Sequence, residues 1–128
     1  YKRQPFAYNR KEAKDHGEGG TLVGAAIKGR KVVIVDDVLT AGTALREAVA
    51  QIRAAGGEPV AALIALDRME RGKGATSAVA EMQADTGVRV ISLVSVREIM
   101  VFLEARGAAE GAGIVGAIRE YQAQYGVP

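Results

Sequence analysis

The sequence predicts one α/β domain built on a parallel sheet. Three short apolar runs carry that reading: Val32-Val33-Ile34-Val35, Val60 to Leu66, and Val88 to Val94, the last interrupted only by Arg89 and Ser92. Each run is followed by a segment with helical spacing, and strand-helix alternation of this kind folds through right-handed parallel crossovers. The runs are nearly continuous rather than alternating, which predicts strands covered on both faces. A length of 128 residues with 48% apolar composition suits a single core.

In chain order, Pro5 to Asn9 and Thr21 to Ile27 read as two strands of a hairpin. Between them Arg10 to Gly20 carries seven ionisable residues and three glycines. That segment is too polar to pack and too glycine-rich for a stable helix, so it is expected to be a mobile loop. After the first apolar run, Ala44, Leu45, Ala48, Val49, Ile52 and Ala55 recur at one-and-four spacing and stop at Gly56-Gly57, the pattern of an amphipathic helix ended by glycine. Thr76 to Asp85 is rich in helix formers and meets Gly87. Ser95 and Glu98 form an S-x-x-E capping box for a helix whose buried stripe would be Ile99, Phe102 and Leu103. A last helix is expected over Ala109 to Tyr125, with Gly111, Gly113 and Gly116 blurring its start.

Composition removes several function classes. Lys plus Arg number 17 against 15 Asp plus Glu, a formal charge of +2 that gives no basic block for non-specific nucleic-acid binding. Cysteine is absent and His16 is the one histidine, which excludes disulfides, thiolate metal sites, a cysteine nucleophile and a multi-histidine zinc centre. Val60 to Leu66 is the longest apolar run, far below the roughly 18 residues of a membrane helix. Nothing resembles a signal peptide, and the expected location is the cytoplasm.

The chemistry is concentrated in Val32-Val33-Ile34-Val35-Asp36-Asp37-Val38-Leu39-Thr40-Ala41-Gly42-Thr43-Ala44. A buried strand delivers two acids where it leaves the sheet, the end at which such sheets bind ligands. Adjacent carboxylates repel, so the pair suggests a polyol or cation between them. The small residues and hydroxyls that follow expose backbone N–H groups at the positive end of a helix, a phosphate cradle. Diol-binding acids beside a phosphate cradle describe a ribose 5-phosphate. On the residues alone, two acids can also simply end a strand, and Thr43 can simply cap a helix. Receiver domains of phosphorelays share the acidic pair, but they lack a Thr-Ala-Gly-Thr turn and need a later strand-end Lys; here Asp67 is followed by Arg68.

With that string, the segments Asn9 to Gly20 and Leu66-Asp67-Arg68-Met69-Glu70-Arg71-Gly72 resemble the type I phosphoribosyltransferases, and among them those acting on orotate. The resemblance covers essentially the whole chain, residues 1–128, and implies a Rossmann-like parallel-sheet core bearing a flexible loop on a hairpin. It implies transfer of a phosphoribosyl group from phosphoribosyl pyrophosphate (PRPP) to orotate. It assigns the pyrophosphate to Arg10, Lys11, Lys14 and His16, the ribose hydroxyls to Asp36 and Asp37, and the 5-phosphate to the turn of Val38, Leu39, Thr40, Ala41, Gly42, Thr43 and Ala44. Thr40 and Arg68 are set against orotate, and Lys14, Asp36 and Asp37 become the catalytic groups. It also implies Mg²⁺ carried by substrate oxygens, without direct side-chain ligation, and a homodimer in which the Arg10 to Gly20 loop serves the partner's site.

Members of that family carry a further N-terminal half, so the chain reads as a C-terminal part of such an enzyme. Tyr1-Lys2 lies immediately before the hairpin strand and is not equated with the family's Tyr-Lys pyrophosphate loop. A purine or uracil phosphoribosyltransferase would keep Asp36 to Ala44 without needing the Arg10 to Gly20 pattern or Arg68. A non-enzymatic PRPP-binding regulator would release no pyrophosphate and have little use for a mobile cationic loop.

Overall fold

The computed structural model describes residues 4–9, 22–106 and 108–127. A short antiparallel hairpin of β1 (Ala7–Asn9) and β2 (Leu22–Gly24) precedes the main unit. The charged segment expected to be a loop lies between these strands and outside the described residues.

The main unit alternates β3 (Lys31–Val38), α1 (Thr43–Ala54), β4 (Glu58–Asp67), α2 (Ala78–Thr86) and β5 (Arg89–Ser95), then continues into α3 (Val96–Ala105) and α4 (Ala108–Tyr125). The strands form a parallel sheet in the order β3-β4-β5, as the alternation predicts. Pro59, which has no N–H to give to a ladder, sits at a register shift: Val32 pairs with Pro59 and Val33 with Ala61, leaving Val60 as the extra residue of a bulge.

One face of the sheet holds the core, in which Leu45, Val49, Ala62, Ile64, Met82 and Val88 are buried together. Two successive right-handed crossovers running the same way across a sheet set both helices on one side, and α1 and α2 supply this layer. The opposite face stays open, with Val33 54%, Val35 74% and Leu93 71% exposed. Coverage of both faces, expected from the continuous apolar runs, is therefore not what the described residues form. Burial alternates along β3 and β5, a pattern that valine and isoleucine on both faces conceal in the sequence.

The helix ends follow local chemistry. Ser77 accepts from the Ala80 amide and caps α2, which Gly87 ends in the left-handed region. The Ser95–Glu98 capping box forms with both reciprocal bonds. The buried stripe expected on α3 is corrected: Ile99 and Leu103 are only half-buried and Phe102 is 57% exposed. That helix packs on α4 instead of entering the core, and the Arg106 guanidinium lies 5.3 Å from the Phe102 ring centre.

Candidate functional site at the carboxyl rim of the sheet

Parallel strands bring their carboxyl ends to one rim. Val38 pairs with Leu66 and Leu66 with Val94, so Thr40 and Arg68 each lie just beyond paired positions on adjacent strands, about 5 Å apart in a sheet. Residues far apart in sequence, the acidic pair, the turn and Arg68, are thus gathered on one edge.

Asp36 and Asp37 are both exposed at the end of β3. Strand alternation points them to opposite faces, Asp36 with Val32 and Ile34 toward the helices, Asp37 with Val33 and Val35 toward the open side. Each is steadied by the amide that follows it: Asp37 N–H donates to Asp36 Oδ1 at 3.0 Å, and Val38 N–H to Asp37 Oδ1 at 2.7 Å. Each carboxylate keeps a second oxygen for a hydroxyl or a cation.

Beyond the pair, Leu39 is 7% exposed and anchors the chain in the core; only its backbone is available to a ligand. Thr40, Ala41, Thr43 and Ala44 are exposed. The residue that caps α1 is Gly42, at φ 72°, and no side chain caps the helix, so Thr43 is the first helical residue rather than the cap. The first turn of α1 contains no acid. Its leading amides have no intrahelical acceptor and carry the positive end of the helix dipole, an arrangement suited to an anion. Arg46 backs the turn: its Nη1 donates to the Ala41 carbonyl at 2.5 Å, while Nε and Nη2 donate to Asp85 Oδ2 at 3.0 and 2.7 Å.

Arg68 follows β4 in a segment held by α4. Met69, at φ 52°, is the one non-glycine residue with positive φ among those described, and its amide donates to Asp67 Oδ1 at 2.8 Å. Arg68 Nε lies 3.1 Å from Glu70 Oε1, an ion pair in which the buried N–H is not aimed well enough to make a hydrogen bond. Glu70 also accepts from the Tyr121 hydroxyl at 2.5 Å. That bond and partial desolvation raise the Tyr121 phenol above its ordinary value. Gln122 Nε2 donates to the Arg68 carbonyl at 2.7 Å, Arg71 N–H to Tyr125 at 2.8 Å and Val127 N–H to Met69 at 3.0 Å. An almost wholly apolar cavity of about 550 Å³ opens beside Arg68, walled by Leu66, Val96, Ile99, Ile114 and Tyr121. Of the proposed rim residues it shares only Arg68, the one charged side chain in its lining.

Arg10, Lys11, Lys14 and His16 lie outside the described residues. The ion pair of Arg68 with Glu70, two residues on, is legible in the sequence as the competing role for that arginine and is present here. Arg46 and Tyr121 are not singled out by the sequence, because Arg46 meets Asp85 39 residues away and Tyr121 meets Glu70 51 away.

Residues 4–92 match the phosphoribosyl transferase domain. The chain is 58% identical over 123 residues to an orotate phosphoribosyltransferase of Chromobacterium violaceum, covering 96% of this chain and 56% of that protein. The fold is similar to the orotate phosphoribosyltransferase structure of Francisella tularensis, with a TM-score of 0.74, 27% identity and coverage of 95% of this chain and 56% of that one. It is also similar to the Mycobacterium tuberculosis orotate phosphoribosyltransferase in complex with PRPP, with a TM-score of 0.58, 27% identity, and coverage of 73% of this chain and 48% of that one. The chain spans somewhat more than half the length of the curated relatives it matches.

Proposed function

The chain belongs to the phosphoribosyl transferase family, and from that premise we propose that the protein transfers the 5-phosphoribosyl group of PRPP to orotate, giving orotidine 5′-monophosphate and pyrophosphate for pyrimidine (UMP) synthesis. The observation that carries this reading is the 58% identity to an orotate phosphoribosyltransferase across 96% of the chain, a span that takes in the acidic pair, the turn and Arg68 together.

The reaction breaks the bond from ribose C1 to the pyrophosphate oxygen, forms a bond from C1 to a ring nitrogen of orotate and releases that nitrogen's proton. Positive charge builds on the ribose and negative charge on the leaving group, as in glycoside chemistry. Asp36 and Asp37 bind the ribose hydroxyls and stabilise the positive charge. They reach the ribose from the two faces of the strand end, where both are exposed, rather than enclosing it between adjacent carboxylates. The amides and hydroxyls of Thr40 to Ala44 hold the 5-phosphate, and Arg68 pairs with the orotate carboxylate as a planar partner. Arg10, Lys11, Lys14 and His16 contact pyrophosphate, with Lys14 neutralising the departing charge. The loop that carries them acts across a homodimer, in the partner's site. The proposed cytoplasmic location suits soluble substrates, and no described helix is long and apolar enough to cross a membrane.

The donor set fits Mg²⁺ as a companion of the substrate. Asp36 and Asp37 offer exposed hard oxygens, and no group of three or more ligating side chains occurs among the described residues. When bound with the substrate the ion would supply charge neutralisation at pyrophosphate, and the exposed carboxylates of Asp36 and Asp37 are the side chains that could help to hold it.

The test compares orotate, uracil and hypoxanthine as acceptors for PRPP-dependent pyrophosphate release, using protein expressed from the complete reading frame. Orotate should be strongly preferred, and Arg68→Ala should lower kcat/KM for orotate by about one to two decades while barely affecting uracil. Equal losses on both bases would remove the carboxylate role of Arg68. Turnover of hypoxanthine or uracil in preference to orotate would overturn the substrate assignment, and PRPP binding without turnover would favour a regulator.

A further inference from the structure

We infer that Arg46 is a positioning residue for the 5-phosphate turn, anchored by Asp85. The inference rests on the turn being the phosphate site and adds the device that sets its geometry.

Arg46 lies one helical turn beyond Gly42, and its guanidinium is a clamp between two elements. One arm takes the Ala41 carbonyl, and two nitrogens take one oxygen of Asp85 in the last turn of α2. In a trans peptide the C=O and N–H point in opposite directions. Holding the Ala41 carbonyl toward Arg46 therefore directs the Gly42 N–H away from it. Released, the same peptide could turn its carbonyl oxygen toward an incoming anion, replacing a donor with a repulsive dipole. Gly42 permits the clamp, since a Cβ there would stand 2.8 Å from Arg46 Nη1. Leu39 holds the other end of the segment in the core. Asp85 balances the guanidinium charge, so the contribution of Arg46 is chiefly orientation. A lysine has one ammonium on a flexible stem and cannot reproduce a planar fork that grips one acceptor in the turn and another on α2.

The experiment measures the Kd of ribose 5-phosphate by calorimetry, the KM values for PRPP and orotate, and the thermal midpoint, for wild type, Arg46→Ala, Arg46→Lys, Asp85→Asn and the double variant Arg46→Ala/Asp85→Asn. Ribose 5-phosphate affinity and KM for PRPP should each worsen about tenfold in Arg46→Ala and nearly as much in Arg46→Lys, with KM for orotate unchanged. Asp85→Asn should give a smaller loss of about twofold to fivefold, and the double variant should be no worse than Arg46→Ala, because both residues act through one contact. Unchanged ribose 5-phosphate affinity in folded Arg46→Ala overturns the inference. So does an equal rise in both KM values, which would mark general loosening. If Arg46→Ala fails to fold, Arg46→Lys and Asp85→Asn decide by the same criteria. A wild-type protein that binds neither ribose 5-phosphate nor PRPP sinks the phosphoribosyl reading itself, an outcome distinct from any difference among variants.

Discussion

Gly42→Ala should cost much more than its one methyl group suggests. The backbone sits at φ 72°, where an L-residue with a Cβ is disfavoured by about 1–2 kcal/mol. The new Cβ would also lie 2.8 Å from Arg46 Nη1, inside any normal contact. The guanidinium is the end of a flexible side chain, so it would move and give up the Ala41 carbonyl. That bond is charge-assisted, but the Arg46 side chain is 26% exposed, so solvent reduces its worth to about 1 kcal/mol. The total is about 2–3 kcal/mol, and for a domain of this size each kcal/mol moves Tm by about 3–5 °C. Gly29→Ala is the matched control, with φ 71° and nothing within 4 Å of the new Cβ. It should show the backbone cost alone, so Gly42→Ala should melt about 3–5 °C lower than Gly29→Ala. In an Arg46→Ala background the gap should close. Calorimetric melting of the four proteins checks this, and a Gly42→Ala no less stable than Gly29→Ala would refute the clamp as an energetic contact.

Three further outcomes are expected. Replacing Asp36 and Asp37 together by Asn should lower turnover by about 10²-fold or more with Tm retained; wild-type kinetics would reduce the pair to a strand ending. Ile64→Ala, on the closed face at 1% exposure, should cost about 2–5 kcal/mol in urea unfolding, whereas Val35→Ala at 74% exposure should stay within about 0.5 kcal/mol; similar losses would contradict one-sided packing. Glu98 is held below its ordinary 4.5 by the Ser95 hydroxyl and amide, so its contribution is full above that value and fades as pH falls through the lowered one. A melting series from about pH 6 to 3 should therefore slope less for Glu98→Gln, and parallel curves would discount the carboxylate.

The strands and helices were legible because apolar runs and capping chemistry are local. Val32 to Val35, the Ser95–Glu98 box and the stop at Gly87 each announce themselves within a few residues. The open face was not, since Val33 and Val35 are as apolar as Ile34 and only the direction of two crossovers decides which is covered. The rim residues Asp36 to Ala44 and Arg68 could be found because they sit at strand ends. The Arg68–Glu70 pair is local enough to be read as well, but Arg46 and Tyr121 look like ordinary surface residues until the fold supplies their partners. The cap at Gly42 rather than Thr43 reflects a backbone dihedral that composition does not encode.

The fastening of the Arg68 segment to α4 has a kinetic consequence. Gln122 meets Arg68 across 54 residues, about twice the span that brings Lys31 to Glu58 in the sheet, and each doubling of a closing loop costs about 0.6 kcal/mol of entropy. The sheet with α1 and α2 can therefore assemble before α4 docks, and α4 can leave before the sheet unravels. The two ends of the site then belong to different cooperative units: the turn at Gly42 shares the stability of the core, while Arg68 shares that of the carboxyl-terminal helix. In native-state hydrogen exchange the Arg71 and Val127 amides should open at lower free energy than those of Ile34 and Ile64. Equal protection would mean that the molecule opens as one piece. A ligand spanning both units would bind them together, and its contact with Arg68 would be released first whenever the helix undocks.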